Sequence, residues 1–302
     1  MKTKYFIYLI VLAAIWGLSF SFIKIASPEF GAFALAFVRI VLAAIFLLLV
    51  IVFLGQTNAL AKLLFMPGLR WYLFISGLLG QLLPFILFAK AELTISASTA
   101  SILSATTPIW SAIIAYFWLK IRLSLLQLLG IILSFIGVSI LVAHTNYTNS
   151  IDHNLNAGLL GSIAILLATF CYAYGSNYLK KYLNQTPPLQ VATASTIYAA
   201  IAGLPLAVYT WPATEISSQA WQATLLLGIL CTGFAFIIFF ELIANVDATS
   251  AVSVTFLIPI FGVLWGINYL GEQVNITMIA AMLVILIGVV MSNFLTKDKV
   301  ST

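Results

Sequence analysis

The side chains that could do chemistry in this sequence are few and lie far apart. His144 and His153 lie in one polar stretch, and Cys171 and Cys231 lie in separate apolar stretches. Hydrolytic or group-transfer chemistry needs ionisable groups that meet in one pocket. The sequence has no paired carboxylates, no spacing typical of metal ligands and no glycine-rich loop suited to a phosphate. We therefore predict no catalytic residue, no metal site and no cofactor.

Arg39 is the charged residue that lies deepest within an apolar stretch. It falls about eight residues into the second predicted membrane span, which corresponds to about 12 Å along a helix. A charge inside a membrane is by default a functional residue with a partner. Arg39 is thus a candidate for substrate binding or gating, and the alternative is that its side chain reaches to the membrane surface.

No Asp or Glu lies near the middle of an apolar stretch, where proton-driven carriers often hold one. Glu241 closes one apolar stretch, and Glu272 follows the turn at Gly271. Both are candidates for gating or coupling. The alternatives are a membrane-surface anchor for Glu241 and a solvated turn residue for Glu272.

Several aromatic residues lie near the middle of apolar stretches, away from the belts at membrane surfaces. A buried Trp or Tyr needs a partner for its N–H or O–H, so these residues either pack tightly or line a cavity. Trp16 and Tyr172 are favoured for a cavity because they align between the two halves of the chain. The predicted cavity set comprises Arg39, the aromatic residues Trp16, Phe85, Trp110, Tyr172, Phe236 and Trp265, and the polar residues Ser19, Gln81, Ser104, Thr107, Ser176 and Asn177.

Two prolines, Pro108 and Pro259, lie inside predicted helices at positions that align between the halves. Proline removes a helix hydrogen bond and bends the helix. We expect matched bends that flank the cavity, and the alternative is a pair of fixed bends without a role in function.

The composition indicates an all-α integral membrane protein. Hydrophobic residues make up 63% of the chain and charged residues 7%, whereas about a quarter of a soluble domain is charged. The net charge of +5 does not indicate a nucleic-acid partner, because the basic residues are scattered and form no patch. A spanning helix needs about 20 mostly apolar residues. Ten segments qualify: 5–26, 31–54, 71–91, 96–119, 124–143, 157–180, 189–210, 221–241, 248–270 and 275–295.

The chain also repeats itself. A shift of 151 positions places Gly77 on Gly228 and Gly137 on Gly288 without a gap, and a shift of 156 aligns the first pair of spans in the two halves. Weak internal symmetry of this kind is typical of transporters that are built from two halves.

The placement of basic residues predicts the orientation of these halves. With a cytoplasmic N-terminus, ten of the 13 Lys and Arg residues lie on the cytoplasmic side, as the positive-inside rule requires. Both termini are therefore predicted to be cytoplasmic. Since each half has five spans, the second half is inserted upside down. The two five-helix repeats are 1–143 and 157–302, joined by a linker loop, 144–156.

Short motifs of one known family occur along almost the whole chain. They are Trp16-Gly17, Lys24, Val38-Arg39, Thr107-Pro108-Ile109, Ile258-Pro259-Ile260 and Tyr269-Leu270-Gly271-Glu272. With these motifs the chain resembles the drug/metabolite transporter superfamily, and specifically its ten-helix members with two EamA-type domains. The Gly271-Glu272 turn has no counterpart in the first half, where Lys120 and Ile121 stand, and we expect the gates to lie where the halves differ in this way.

The resemblance implies an alternating-access transporter in the cell membrane (inner or plasma membrane) that exports small metabolites, such as amino acids or related amphipathic compounds. One alternative is a carrier of phosphorylated sugars or nucleotide sugars, which should bring several basic residues to the cavity. Another is a membrane assembly subunit that transports nothing. The expected partners are a small-molecule substrate and the lipid bilayer, without nucleic acid. The sequence is compatible with a monomer or a homodimer.

Overall fold

The computed structural model describes residues 3–120, 123–151, 156–245 and 254–294, and all regular structure within these ranges is helical. The elements in chain order are α1 (Thr3–Phe53), α2 (Thr57–Phe65), α3 (Arg70–Gly77), π1 (Leu78–Leu82), α4 (Leu83–Ala91), α5 (Ala97–Ser104), α6 (Thr107–Leu119), α7 (Leu125–Ile151), α8 (Ala157–Tyr182), α9 (Pro188–Tyr209), α10 (Ser218–Gly228), π2 (Ile229–Phe234), α11 (Ala235–Asn245), α12 (Val254–Leu270) and α13 (Ile276–Phe294). The labels π1 and π2 denote π-helical turns.

The described helices provide ten membrane crossings. The helix α1 has 51 residues, which is about 77 Å at 1.5 Å per residue and more than twice the hydrocarbon core of about 30 Å, so it forms two crossings. Six further stretches between Arg70 and Phe239 are long and apolar enough to cross a membrane, and α12 and α13 are shorter apolar helices. The prediction of an all-α integral membrane fold is confirmed.

The two crossings of α1 meet at a single residue. Gly31 has φ 70° and ψ 163°, and Pro28 lies inside the same helix. A positive φ strongly favours glycine because glycine has no Cβ. The first limb (3–30) and the second limb (32–53) are therefore joined without a loop, and the second begins close to the predicted residue 31.

The fourth predicted span, 96–119, consists of two helices with a break at Ala105 and Thr106. The Thr106 hydroxyl donates to the Leu103 carbonyl at 2.8 Å and lies 3.0 Å from the Thr169 hydroxyl of α8. Pro108 is in the first turn of α6, where proline disrupts no helix hydrogen bond. The aligned residue of the second half, Pro259, lies inside α12. The two prolines thus occupy different local structures.

The segment predicted as a linker loop, 144–156, is helical over most of its described part. The helix α7 continues to Ile151, beyond the predicted end at 143, and α8 begins at Ala157. The imidazole of His144 is hydrogen-bonded to the Asn275 side chain at 2.6 Å. His153 lies outside the described residues.

The third and eighth crossings are each interrupted by a π-helical turn. The turns π1 and π2 begin at Leu78 and Ile229, which are separated by the same 151 positions as the sequence repeat. A π turn accommodates one extra residue, and such turns are rare and occur frequently at functional sites. The interruptions therefore mark equivalent places in the two halves.

The helices α7 and α13 pack together through small residues. A Cβ added to Gly137 would lie 2.8 Å from Cγ1 of Ile285, and one added to Gly288 would lie 2.6 Å from the Ser134 nitrogen. The Ser134 hydroxyl also donates to the Ile285 carbonyl at 3.2 Å. The shift of 151 converts the pair Gly137–Ile285 into the pair Gly288–Ser134, so the contact maps onto itself, as contacts on a two-fold axis do.

We expect Gly288→Ala to destabilise the protein by about 1–3 kcal/mol, because the new methyl group would meet the backbone of α7, which cannot move aside as a side chain can. The measurement is thermal unfolding of the purified protein in detergent. Gly80→Ala is the matched control, since a Cβ at Gly80 meets nothing within 4 Å. Equal unfolding temperatures for the two variants would contradict this packing.

Candidate functional site

Arg39 lies on the second limb of α1 and is buried, with 6% of its surface exposed. Its Nε donates to the Thr232 hydroxyl of π2 at 2.8 Å. The Thr232 hydroxyl in turn donates to the Leu227 carbonyl at 2.9 Å, which leaves its oxygen to accept from Arg39. The side chain therefore points into the bundle and does not reach to the membrane surface.

The guanidinium of Arg39 stacks on an aromatic ring. Its central carbon lies 3.7 Å from the ring centre of Phe85, within the range of a cation–π interaction. The ring of Phe85 lies 6.5 Å from that of Tyr172, and Phe88 lies 5.9 Å from Tyr172. The structure thus brings together three predicted site residues, Arg39, Phe85 and Tyr172.

Only Nε of Arg39 donates a hydrogen bond to a residue that the structure describes. The guanidinium carries five N–H donors in a planar fork. The donors on its two terminal nitrogens are therefore available to a ligand, and their spacing suits a carboxylate or a phosphate.

Gln81 of π1 occupies the place that corresponds to Thr232 of π2, since the two are 151 positions apart. Its amide donates to the Ser195 hydroxyl at 3.3 Å and accepts from the Thr196 hydroxyl at 3.0 Å. Ser195 is itself the equivalent of Arg39 under the shift of 156. Each π turn therefore bonds to the second crossing of the opposite half, but one of these contacts contains a cation and the other contains hydroxyl groups.

Glycine residues bring the backbones together at both contacts. A Cβ at Gly77 would collide with the Ser195 carbonyl, and a Cβ at Gly228 would lie 3.0 Å from the Arg39 carbonyl. The pairs Gly77–Ser195 and Gly228–Arg39 are again equivalent under the two shifts. The repeated glycines of the sequence thus set how closely each π turn approaches its partner.

Four hydroxyl groups that we predicted to line the cavity bond back to their own chain. Ser19, Ser104, Thr107 and Ser176 each donate to the carbonyl three residues earlier, at 2.6–2.9 Å. Asn177 donates to the Ser111 hydroxyl and to the Ala173 carbonyl, each at 2.9 Å.

The remaining predicted aromatic residues are spread over the bundle. The ring of Trp16 lies 5.3 Å from that of Phe239, and Trp265 donates its indole N–H to the Ala14 carbonyl at 3.0 Å. Phe236 is half-buried on α11. Trp110 packs against Phe135 and Phe170, and its buried indole nitrogen has no hydrogen-bond partner among the described residues. Trp110 thus faces α7 and α8, away from the Arg39 site.

Two acidic residues predicted for gating or coupling differ in their surroundings. Glu241 forms an ion pair with Lys4 at 3.3 Å, and both side chains are exposed. Glu272 accepts from the backbone N–H groups of Ala97 and Ser98 at 2.7 and 2.9 Å. Those amides begin α5, where a helix has unsatisfied donors and a positive dipole end. Glu272 is therefore a cap that joins the second half to the first.

The sequence interpretation missed three groups of residues that contact the site or the cap. Thr232 could have been found as the repeat equivalent of Gln81, and Ser195 as the equivalent of Arg39. Glu92 directly follows the predicted span 71–91 in the sequence, and the structure buries it completely. No sequence signal distinguishes such a residue from a solvated loop glutamate.

A separate groove of about 430 Å³ opens between α7 and α8. None of its lining residues belongs to the predicted cavity set: Phe135, Val138, Ser139, Val142, Ala143, Asn146, Leu159, Ile163 and Leu166.

The sequence and fold of the chain are similar to those of known proteins. The chain is 28% identical over 282 residues to an uncharacterized transporter of Archaeoglobus fulgidus, covering 90% of this chain and 91% of that protein. It is 23% identical to a probable terminal-alkyne amino-acid exporter of Streptantibioticus cattleyicolor, covering 90% of this chain and 88% of that protein. One solved structure, titled only as the crystal structure of a protein, has a TM-score of 0.69 at 14% identity and covers 99% of this chain and 100% of its own.

The EamA-like transporter family matches the chain twice, over residues 3–143 and 159–294. These two matches cover almost the whole chain, and they agree with the resemblance that the motifs indicated. The chain is a multi-pass membrane protein that belongs to the EamA-like transporter family.

Proposed function

We propose that the protein is an alternating-access exporter of small amphipathic metabolites that carry a carboxylate, with amino acids as the representative class. The observation that carries this proposal is the buried guanidinium of Arg39. Nε is committed to Thr232, and the terminal nitrogens offer the fork that binds a carboxylate through two parallel hydrogen bonds. Because this site is inside the bundle, the interaction is much less weakened by water and salt than it would be on a surface.

The aromatic residues beside Arg39 suit the apolar part of such a substrate. The rings of Phe85, Phe88 and Tyr172 form one contiguous group next to the guanidinium. Ligand sites are typically apolar, with a few polar groups that fix the orientation. A carboxylate on Arg39 and an apolar body along these rings match that arrangement.

A single available guanidinium favours a carboxylate over a phosphate ester. Lys24 lies on the first limb, and its ammonium is already bonded to the carbonyls of Glu92 and Ile95 at 2.6 and 2.8 Å. A phosphorylated sugar carries about two negative charges and should need more than one cation. The name of the amino-acid exporter from Streptantibioticus cattleyicolor supports the same substrate class.

Two observations support alternating access between two inverted repeats. The contacts of π1 and π2 are equivalent under the shifts of the sequence repeat, and α7 and α13 meet in a contact that maps onto itself. Inverted repeats can exchange an outward-open and an inward-open arrangement around one midplane site. The bias of Lys and Arg supports cytoplasmic termini, which would place Lys24, Glu92 and Glu272 at the outer end of the bundle.

Arg39→Lys is expected to weaken substrate binding roughly tenfold to a hundredfold, because an ammonium cannot form the two parallel bonds, and a bond to a charged group contributes about 1.5–3 kcal/mol. The measurement is counterflow in proteoliposomes, with thermal-shift titration of the purified protein. Exposed Arg70 gives the matched control, and Arg70→Lys should leave both readouts unchanged. Equal affinities for Arg39→Lys and the unmodified protein would overturn the site, and absence of flux for amino acids, amines and sugars would overturn the transport proposal.

Glu272→Ala should open the end of the bundle that Glu272 closes. The substitution removes two charge-assisted hydrogen bonds to the start of α5, and a helix cap contributes about 1–2 kcal/mol. A loss of this size corresponds to a roughly fivefold to thirtyfold increase in the population of the open arrangement. A cysteine in place of Ser98, which is fully buried, is the reporter, with Cys171 and Cys231 replaced by alanine. Its alkylation by a charged maleimide should accelerate in Glu272→Ala and not in Glu215→Ala, since Glu215 is exposed. An unchanged rate would show that Glu272 does not hold this end closed.

A further inference from the structure

Glu92 is a buried carboxyl group without a hydrogen-bond partner. None of its surface is exposed, and neither carboxyl oxygen is bonded to a described residue. A buried polar group normally has a partner, and burying an unpaired ionised carboxylate is so costly that the group takes up a proton instead. None of the functional roles predicted from the sequence involves Glu92.

The neighbouring cation does not bond to this carboxyl group. The ammonium of Lys24 donates to the backbone carbonyls of Glu92 and Ile95, at 2.6 and 2.8 Å. These carbonyls lie at and just beyond the C-terminal end of α4, where the helix dipole is negative. Two of the three ammonium protons are thus used by the main chain.

Glu272 holds the same segment from its other side. Its carboxylate accepts hydrogen bonds from the backbone N–H groups of Ala97 and Ser98. The segment 92–98 is therefore held by two side chains: the Lys24 ammonium bonds to its carbonyl groups, and the Glu272 carboxylate bonds to its N–H groups. We call this arrangement the clamp: Lys24, residues 92–98 and Glu272. It joins the first limb of α1 to the turn after α12.

Three charged side chains of the described residues act on the Glu92 carboxyl group: Lys24 from the first limb, Arg39 from the second limb and Glu272 from the turn after α12. Burial is the main influence, and it raises the pKa of Glu92 well above that of a solvated glutamate. Lys24 and Arg39 oppose this effect, and the negative charge of Glu272 adds to it.

We propose that Glu92 is a proton-binding site, and that proton binding accompanies closure of the clamp while proton release accompanies its opening. In the closed arrangement a neutral carboxyl group avoids an unpaired charge beside Glu272. When the clamp opens, water reaches the carboxyl group and Lys24 is freed from the carbonyls to pair with it. Only the consequence for transport rests on the proposed function, namely that the proton gradient biases which end is open.

The sign of the pH dependence follows from this difference in proton binding. Below the pKa that Glu92 has in the open arrangement, both arrangements hold the proton and pH has no effect. Between the open and the closed pKa, opening releases one proton, and the open population increases up to about tenfold per pH unit. Above the pKa that Glu92 has in the closed arrangement, the carboxyl group is ionised in both arrangements, and the open population no longer increases with pH.

The experiment measures alkylation of the Ser98→Cys reporter between pH 5 and pH 9 without any substrate. The exposed residue Ser218 supplies the matched control: the rate at Ser218→Cys reports the intrinsic pH dependence of the thiol reaction, and the ratio of the two rates reports opening. The ratio should rise severalfold or more with pH when Glu92 is present. In Glu92→Gln, which mimics the protonated group, it should stay low and flat, whereas Glu215→Gln should retain the rise.

A rise of the same size in Glu92→Gln, or a flat ratio with Glu92 present, would overturn the proposal. If Ser98→Cys does not fold, thermal unfolding supplies the test without a reporter. The unfolding temperature should fall more between pH 6 and pH 8.5 with Glu92 than with Gln, because the buried carboxyl group of the folded state keeps its proton to a higher pH than the solvated group of the unfolded state does. Equal falls would reject the site. Since neither assay needs flux, failed transport of every substrate tested would reject the proposed function and leave this inference standing.

Discussion

The hydrocarbon core of a membrane offers no hydrogen bonds to the backbone, so each departure from a regular helix must be satisfied by the protein itself. The break at Thr106 is closed by its bonds to Leu103 and Thr169. The two π turns bond through Thr232 and Gln81 to the second crossing of the opposite half. The interruptions at the two π turns are therefore places where polar contacts join the two halves.

Arg39 shows how this constraint shapes the candidate site. Burying a guanidinium is costly unless it is paired, and the structure supplies one hydroxyl acceptor and one aromatic face. These neighbours stabilise the cation without neutralising it. The equivalent contact at Gln81 and Ser195 carries no charge. The site is therefore asymmetric although its framework is repeated, and an amphipathic molecule with one charged end fits that asymmetry.

The sequence predicted the all-α membrane class, the ten crossings and the deep position of Arg39, because these follow from hydrophobic length and from the scarcity of charge. It could not predict the π turns, which bond to segments far apart in the chain. It also did not predict the loopless join at Gly31, because a glycine in the sequence does not by itself show that its φ is positive. The placement of Trp110 in the predicted cavity set had the same limit: the sequence indicated its depth, but not that its side chain packs against α7 and α8. Glu92 illustrates the largest gap, because Lys24 and Glu272 contact residues 92–98 from distant parts of the chain.

The two ends of the bundle must close by different physical means. Glu272 caps α5 with a carboxylate, and the position equivalent to it in the first half is Ile121, whose side chain cannot accept a hydrogen bond. The second half therefore has a carboxylate that caps a helix, and the residue at the equivalent position of the first half has no group that could do the same. A change in pH acts on carboxylates and not on isoleucine, so of these two equivalent positions only Glu272 can respond to protonation.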